Sequence, residues 1–285
     1  MDSDRPRWKR KPPPGRTPEQ ILNHYLVEKE IADRLKAADR AGRSRIYSGM
    51  YDEFFARVPD HPRLLSVRDP SSLAAHNQKK LALVERFVGP ETDFVEFAPG
   101  DCTFAYRVCG MARTVIGVDI SDQSVKSPPP PANFRLLVYD GFSLDLPDAS
   151  ADIVFSDQFI EHLHPEDVDL HFRLVNRLLK RGGSYIFRTP HSFHGPFDIS
   201  AYFSDVAEGF HLKEWTYREL RSRLRAAGFS AWRGGLKRKG RTHELPVALF
   251  AGYERMIGRL PHRARRIAAR ALLPRHIYMR AVKSA

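Results

Sequence analysis

Apolar residues recur along this chain in two rhythms that take turns. Compact runs rich in Val, Ile and Phe end on small or acidic residues, and between them apolar positions repeat at three and four. The runs Phe94–Phe97, Thr114–Asp119, Phe134–Tyr139, Ala151–Ser156, Ser184–Thr189, Phe229–Trp232 and His276–Lys283 predict strands. The intervening periodicity predicts helices over Pro165–Lys180, closed by Gly182-Gly183, and over Thr216–Ala227, closed by Gly228. Two more follow around Pro261, Pro246–Leu260 and His262–Leu272. Strand and helix in alternation specify an α/β, Rossmann-like, doubly wound and mostly parallel sheet of seven strands.

Upstream of the first strand the rhythm is helical throughout. Thr17-Pro18-Glu19-Gln20 reads as a capped helix start, running to about Arg40. Ser44–Phe55 places Ile46, Tyr47, Met50, Tyr51, Phe54 and Phe55 on one aromatic stripe, which suits either a helix packed on the core or a lid over a pocket. Ser72 is the expected cap of a helix through Val88. The expected organisation is a disordered basic arm over 1–16, a helical cap over 17–90 and one domain over 91–285, with a helical insertion at about 246–273 before the last strand. Residues 191–215 form a long loop rich in His, Phe and Asp, a length more often functional than structural.

Composition changes this picture only at the chain ends. Hydrophobic content of 42% and charged content of 28% are those of an ordinary globular protein. No apolar run reaches the ~18 residues of a membrane span, and residues 1–16 carry no apolar signal segment. Cys102 and Cys109 lie on or beside one predicted helix, which suggests no disulfide framework and a reducing cytoplasm. The net charge of +12 is uneven: residues 1–16 hold +4, residues 253–285 hold +8, and the rest is neutral. Nucleic-acid enzymes concentrate basic residues around the active face, so nucleic acid is not the expected partner. The basic segment 253–272 either packs on its own domain with its arginines in water or lies on anionic membrane, at the inner face of a cytoplasmic compartment.

The chemistry centres on Glu96-Phe97-Ala98-Pro99-Gly100-Asp101-Cys102, where the first strand ends in a tight turn. A pyrophosphate-binding turn needs G-x-G-x-x-G, and only one of those glycines is present. Glu96 beside the turn suits a cationic ligand better. Asp119 ends the second strand about 20 residues on, the spacing at which an acid meets a ribose hydroxyl pair.

Taken together, these runs resemble class I S-adenosylmethionine-dependent methyltransferases. Val95–Cys102 is similar to their first motif, and Asp119 to the ribose-binding acid. Asp140-Gly141 resembles the position near the adenine, and Gln158–Leu163 the "EHL" segment. Leu178–Gly183 with Thr189-Pro190-His191 resembles the "LKPGG…TPN" segment. The likeness covers about 90–235, and the segments His162–Pro165, Gly195–Ser200 and Gly209–Glu214 resemble a bacterial subgroup of unassigned substrate. It departs from the pattern at Ala98 and Cys102, where glycine is usual.

What the resemblance implies is a methyltransferase using S-adenosylmethionine. The implied cofactor set is Glu96, Ala98, Gly100, Asp119, Ile120, Asp140, Gly141, Asp157 and Gln158. In-line methyl transfer needs alignment and exclusion of water, and a general base only when the acceptor is protonated. The base candidates are His162, His211 and Asp198, each of which could equally be scaffold. The expected acceptor is a small molecule or a glycan or lipid-linked hydroxyl. A non-catalytic binder and an RNA methyltransferase are the alternatives. Relatives acting on quinone precursors hold a metal through E-x-x-E-H. Here Gln158 replaces the first acid, so no metal is expected, nor a zinc site among His162, His164, His191, His194 and His211.

Overall fold

The computed structural model describes residues 6–65, 70–124, 128–238 and 241–284, the side chains of 65, 70, 237, 238 and 241 aside. Residues 1–5 of the basic arm lie outside the described residues. Four helices precede the sheet: α1 (Pro18–Ala37), α2 (Arg40–Arg57), α3 (Pro62–Leu65) and α4 (Pro70–Val84). Then come β1 (Asp93–Phe97), α5 (Thr103–Cys109), β2 (Thr114–Asp119), β3 (Phe134–Val138), β4 (Ala151–Asp157), α6 (Pro165–Leu178) and β5 (Leu179–Pro190). The chain continues through α7 (Tyr217–Ala226), β6 (Phe229–Arg238), β7 (Arg241–Pro246), α8 (Val247–Ile257), α9 (His262–Leu272) and β8 (His276–Lys283).

The strands form one sheet in the order β3-β2-β1-β4-β5-β8-β6-β7, parallel from β3 to β5 and antiparallel beyond. The eighth strand is β7, which the sequence did not announce. Its residues Arg241-Thr242-His243-Glu244-Leu245-Pro246 carry no apolar alternation, as an edge strand does not need. A second difference lies at the expected glycine stop. Helix α6 ends at Leu178, and Leu179 already pairs with Ala151, while Ser184 pairs with Ile153. Lys180–Gly183 therefore bulges out of the sheet, with Gly182 at φ +75°. The helix expected to start at Ser72 begins at Pro70, so Ser72 is inside its first turn.

Alternate strand residues face opposite layers. Phe94, Val115, Ile153, Phe155 and Ile186 pack against α4 and α5. Val95, Phe97, Val154, Tyr185 and Phe187 pack with Val168, Phe172, Val175 of α6 and Leu220, Leu224 of α7. This two-sided burial is why the strands read as continuous apolar runs.

The cap sits over the carboxyl ends of the parallel strands. Thr17 and Gln20 form the expected capping box of α1. The guanidinium of Arg43 on α2, itself buried, donates twice to Asp167 of α6, at 2.6 and 2.8 Å. Tyr51 and Phe54 meet Phe210 edge to face, which ties the aromatic stripe to the long loop. Residues 6–16, expected as disordered, lie against the domain: Trp8 packs on Phe203, the Lys9 amide donates to Tyr202 O at 2.7 Å, and Arg16 pairs with Asp60. Among the described residues no helix is long and apolar enough to cross a membrane.

Candidate active site

A cleft opens where β1, β2 and β4 end, beneath the aromatic face of α2. Its walls include Tyr47, Met50 and Tyr51 from α2, Ala98 and Gly100 after β1, and Asp119 and Ile120 after β2. Tyr139 and Gly141 follow β3, and Gln158, Phe159 and His162 follow β4. This is where an open α/β sheet binds ligands.

The turn after β1 takes its shape from left-handed backbone. Gly100 has φ +59°, and so, unusually, do Ala98 at +54° and Cys102 at +59°. The loop keeps the geometry glycine takes freely, although two of its residues carry a Cβ. The Ala98 amide donates to Val118 O at 2.8 Å, which pins the turn to β2. Gln158 after β4 is also left-handed, at +55°, and its Nε2 is buried with no partner.

Asp119 locks this turn from beside it. Its Oδ2 accepts from the Gly100 amide at 3.2 Å and its Oδ1 from the Ile120 amide at 2.7 Å. Burial raises its carboxyl pKa, against the pull of those amides. A carboxylate has lone-pair sites for about four hydrogen bonds, so capacity for a diol remains.

Three of the expected cofactor residues are placed differently. Glu96 is fully buried off the cleft wall, and its Oε1 lies 3.2 Å from Lys80 Nζ on α4. Burial works against the Lys80 charge, but Glu96 outweighs it and raises the ammonium pKa. The acid expected to attract a cationic ligand is thus already paired, with only Oε2 unpartnered. Asp157 is taken by Arg188, bonded through both oxygens at 2.6 and 2.7 Å. Asp140 accepts from the Phe142 and Ser143 amides and shapes the turn that presents Gly141. Neither partner lay near in sequence except those of Asp140, so the spacing gave no warning.

His162 stands on the cleft wall. Its Nδ1 lies 2.9 Å from the carbonyl oxygen of Phe210; the carbonyl can only accept, so Nδ1 carries the proton and Nε2 the lone pair. Burial, then neighbouring His211, pushes its pKa down to about 3. His211 sits edge-on to it, 5.1 Å between ring centroids, with Nδ1 2.9 Å from Glu214 Oε1. Burial opposes its charge, but Glu214, Glu161 and Asp198 outweigh that and raise its pKa. Glu161, fully buried, accepts from the Thr189 hydroxyl at 2.9 Å, keeps Oε1 unpartnered, and is raised by burial to about 7.

Asp198 does not reach the cleft wall. Its oxygens accept from the Ser200 and Gly209 amides, both at 3.0 Å, which tie the long loop together, and burial raises its carboxyl pKa to about 6. Of the five histidines considered for zinc, His162 and His211 come together, and His191 and His194 stand as a second pair, 5.6 Å between ring centroids. His164 caps α6, His191 pairs with Glu254 and His194 bonds Leu273 O. Glu161, His162 and His211 each offer a ligand atom within 4.8 Å of one another, the one such group among the described residues. His211 thus stands where Gln158 was expected to leave the trio incomplete. Glu161 itself could have been singled out by its adjacency to His162; Arg63, on the cleft wall beneath Tyr51, carried no local signal.

The residues fit a nucleoside cofactor bearing a polar tail. The unpartnered Gln158 Nε2 and the lone-pair capacity of Asp119 await polar groups, and Ile120, Tyr139 and Phe159 offer apolar surface between them.

A family model described as a methyltransferase domain matches residues 95–187, from β1 through β5. No curated protein matches the chain. Among solved structures, phosphoethanolamine N-methyltransferase 1 of Haemonchus contortus is in complex with phosphoethanolamine and S-adenosylhomocysteine. It is 14% identical, with a TM-score of 0.55 over 87% of this chain and 50% of its own. A Thermotoga maritima S-adenosylmethionine-dependent methyltransferase is 17% identical, with a TM-score of 0.49 over 85% of this chain and 97% of its own. A third, from Mesorhizobium loti, is 20% identical, with a TM-score of 0.45 over 69% and 92%. The first of these shows a shared fold.

Proposed function

We propose that this chain, whose residues 95–187 match a methyltransferase-domain model, is a class I S-adenosylmethionine-dependent methyltransferase that methylates a small-molecule or glycan hydroxyl at oxygen, with His162 as the general base. The observation that carries this reading is the fixed tautomer of His162: Nδ1 is spent on Phe210 O, and a neutral Nε2 remains on the cleft wall.

Bound S-adenosylmethionine supplies an electrophilic methyl group on a sulfonium. Asp119 is suited to hold the ribose hydroxyls, the left-handed turn at Ala98–Gly100 lets backbone approach the methionine part, and Gly141 leaves room beside the adenine. Tyr47, Met50 and Tyr51 of α2 close the cleft and keep water from the reacting atoms. Burial holds the Tyr51 hydroxyl neutral, with its pKa at about 12. A hydroxyl acceptor must lose its proton as the new bond forms, and in this reading the lone pair of His162 Nε2 takes it. Glu161, beside it, is raised by burial to about 7 and is coupled to the charge of His211.

A second reading uses the same three side chains, Glu161, His162 and His211, to hold a divalent cation that binds the acceptor oxygen. The raised pKa of His211 weighs against it, because a proton already supplies positive charge there.

Release of S-adenosylhomocysteine against a panel of phenols, sugars and amines tests the proposal. Turnover on hydroxyl acceptors, lost in His162→Ala with cofactor affinity intact by calorimetry, is the expected result. Turnover on amines alone would overturn the oxygen assignment.

A further inference from the structure

Positive charge from opposite ends of the chain meets on one face. The arm is fixed there by Trp8, 4.5 Å from the Phe203 ring, and by the Lys9 amide on Tyr202 O. Across from it lies α9. Between them runs a cleft lined by Arg7, Lys9, Arg10, Arg263, Arg266 and Arg270, which continues past Arg10 to Arg275. Among the described residues, Asp205, paired with Lys9, is the one acid on its walls. Among the described residues, Arg10, Arg263, Arg266, Arg270 and Arg275 form no ion pair with any acid. Burial and the neighbouring Arg10 and Arg270 even lower the pKa of Arg266.

Unrelieved like charge of this kind destabilises the free protein and is what a polyanion surface relieves. The same helix carries apolar side chains in water. Ile267, on the cleft wall, is 69% exposed and Leu272 61%, while α9 buries only Ala269. Arginine beside exposed Ile and Leu matches a bilayer interface, where phosphates lie above acyl chains. A nucleic-acid groove would pair arginine with stacking rings, and the ring present, Trp8, is already packed on Phe203.

We propose that this face, built from residues 7–10 and α9, docks on an anionic lipid bilayer. Lipid phosphates occupy the arginine cleft, and Ile267 on its wall enters the acyl boundary. This holds whichever acceptor the enzyme uses.

Sedimentation of the full chain with phosphatidylcholine vesicles, with and without about a third of phosphatidylglycerol, tests it; each basic side chain near such a surface contributes about 1 kcal/mol. The expected result is at least ~10-fold tighter binding to the anionic vesicles, weakened ~10-fold or more in R266E/R270E. Ile267→Asp should remove the part of the binding that survives high salt. Cofactor affinity serves as the fold check for each variant; if the double variant does not fold, Ile267→Asp and the salt dependence of the unaltered chain decide. Equal binding to both vesicle types, or unchanged binding in R266E/R270E, would overturn the proposal. So would complete displacement by millimolar inorganic phosphate, which would mark a site for free anion. Tighter binding of a single-stranded RNA oligonucleotide at the same residues would reassign the face to nucleic acid.

Discussion

The imidazole of His162 is anchored by its Nδ1 proton to the carbonyl oxygen of Phe210, 2.9 Å away. Phe210 is itself packed against Phe54 and Tyr51 of α2, so the element that roofs the cleft also sets the tautomer of the proposed base. Replacing His162 with Gln keeps a polar group of similar reach but removes the basic nitrogen. The expected outcome is a fall in kcat of about 100-fold or more with an unchanged cofactor Kd, since base catalysis contributes roughly 10²–10⁴. A loss confined to cofactor affinity would place His162 in binding.

Chelation separates the proton from the metal at Glu161, His162 and His211. Dialysis against EDTA should leave turnover unchanged, because His211 is held toward its cationic form by Glu214, Glu161 and Asp198. Activity lost to EDTA and restored by one divalent ion would replace the base with a cation.

Asp119→Ala removes an acceptor from the Gly100 and Ile120 amides as well as from the cofactor. Loss of two charge-assisted hydrogen bonds to a diol corresponds to about 2–4 kcal/mol, or roughly 30- to 1000-fold in Kd. Asp119→Asn, which still accepts but carries no charge, should fall between. Calorimetric titration with S-adenosylmethionine reads both; equal affinities for all three proteins would remove Asp119 from the site.

The left-handed turn makes an opposite pair of predictions at Ala98. Ala98→Gly relieves a Cβ at φ +54° and should leave stability within about 0.5 kcal/mol, relief and unfolded-chain entropy nearly offsetting. Ala98→Val, β-branched at the same angle, should cost about 2 kcal/mol in denaturant unfolding.

Acid should unfold this protein early. Burial lowers His162 and His171 to about 3, and His61 and His194 to about 4. Between those values and the ordinary 6.5, the unfolded chain binds more protons than the folded one, so stability rises with pH across this window and is lost on descending it. Burial lowers His164 and His276 as well. It raises Asp198 to about 6 and Glu161 to about 7, and it raises Glu96 and Asp119 too, while neighbouring acids outweigh burial and raise His211; these five act in the opposite sense and are outnumbered by the six lowered histidines. The expected melting temperature is highest near neutrality and falls by about 5 °C or more by pH 5, as about 1 kcal/mol shifts it by 2–4 °C at this size. A melting temperature that rises on acidification would refute this.

What was legible in the sequence was local. Strands read as ending at Asp119 and Ser156, the turn after Phe97, and the stripe Tyr47–Met50–Tyr51 carry their signals within a few residues. What stayed hidden was contact between distant segments. Lys80 reaches Glu96 from another helix, Arg188 claims Asp157 from the neighbouring strand, and His211 comes to Glu161 across the long loop. No spacing encodes such meetings, because each needs the whole sheet to place its partners. The junction of the arm with α9 is the extreme case: the two basic stretches were obvious and their convergence was not.

Strand β8 lies between β5 and β6, although β6 and β7 precede it in the chain. Without it, the five parallel strands and the β6–β7 hairpin cannot share one hydrogen-bonded sheet, and the facing edges of β5 and β6 stand unpaired. The last strand of the described chain is thus the one that joins its two sheet halves.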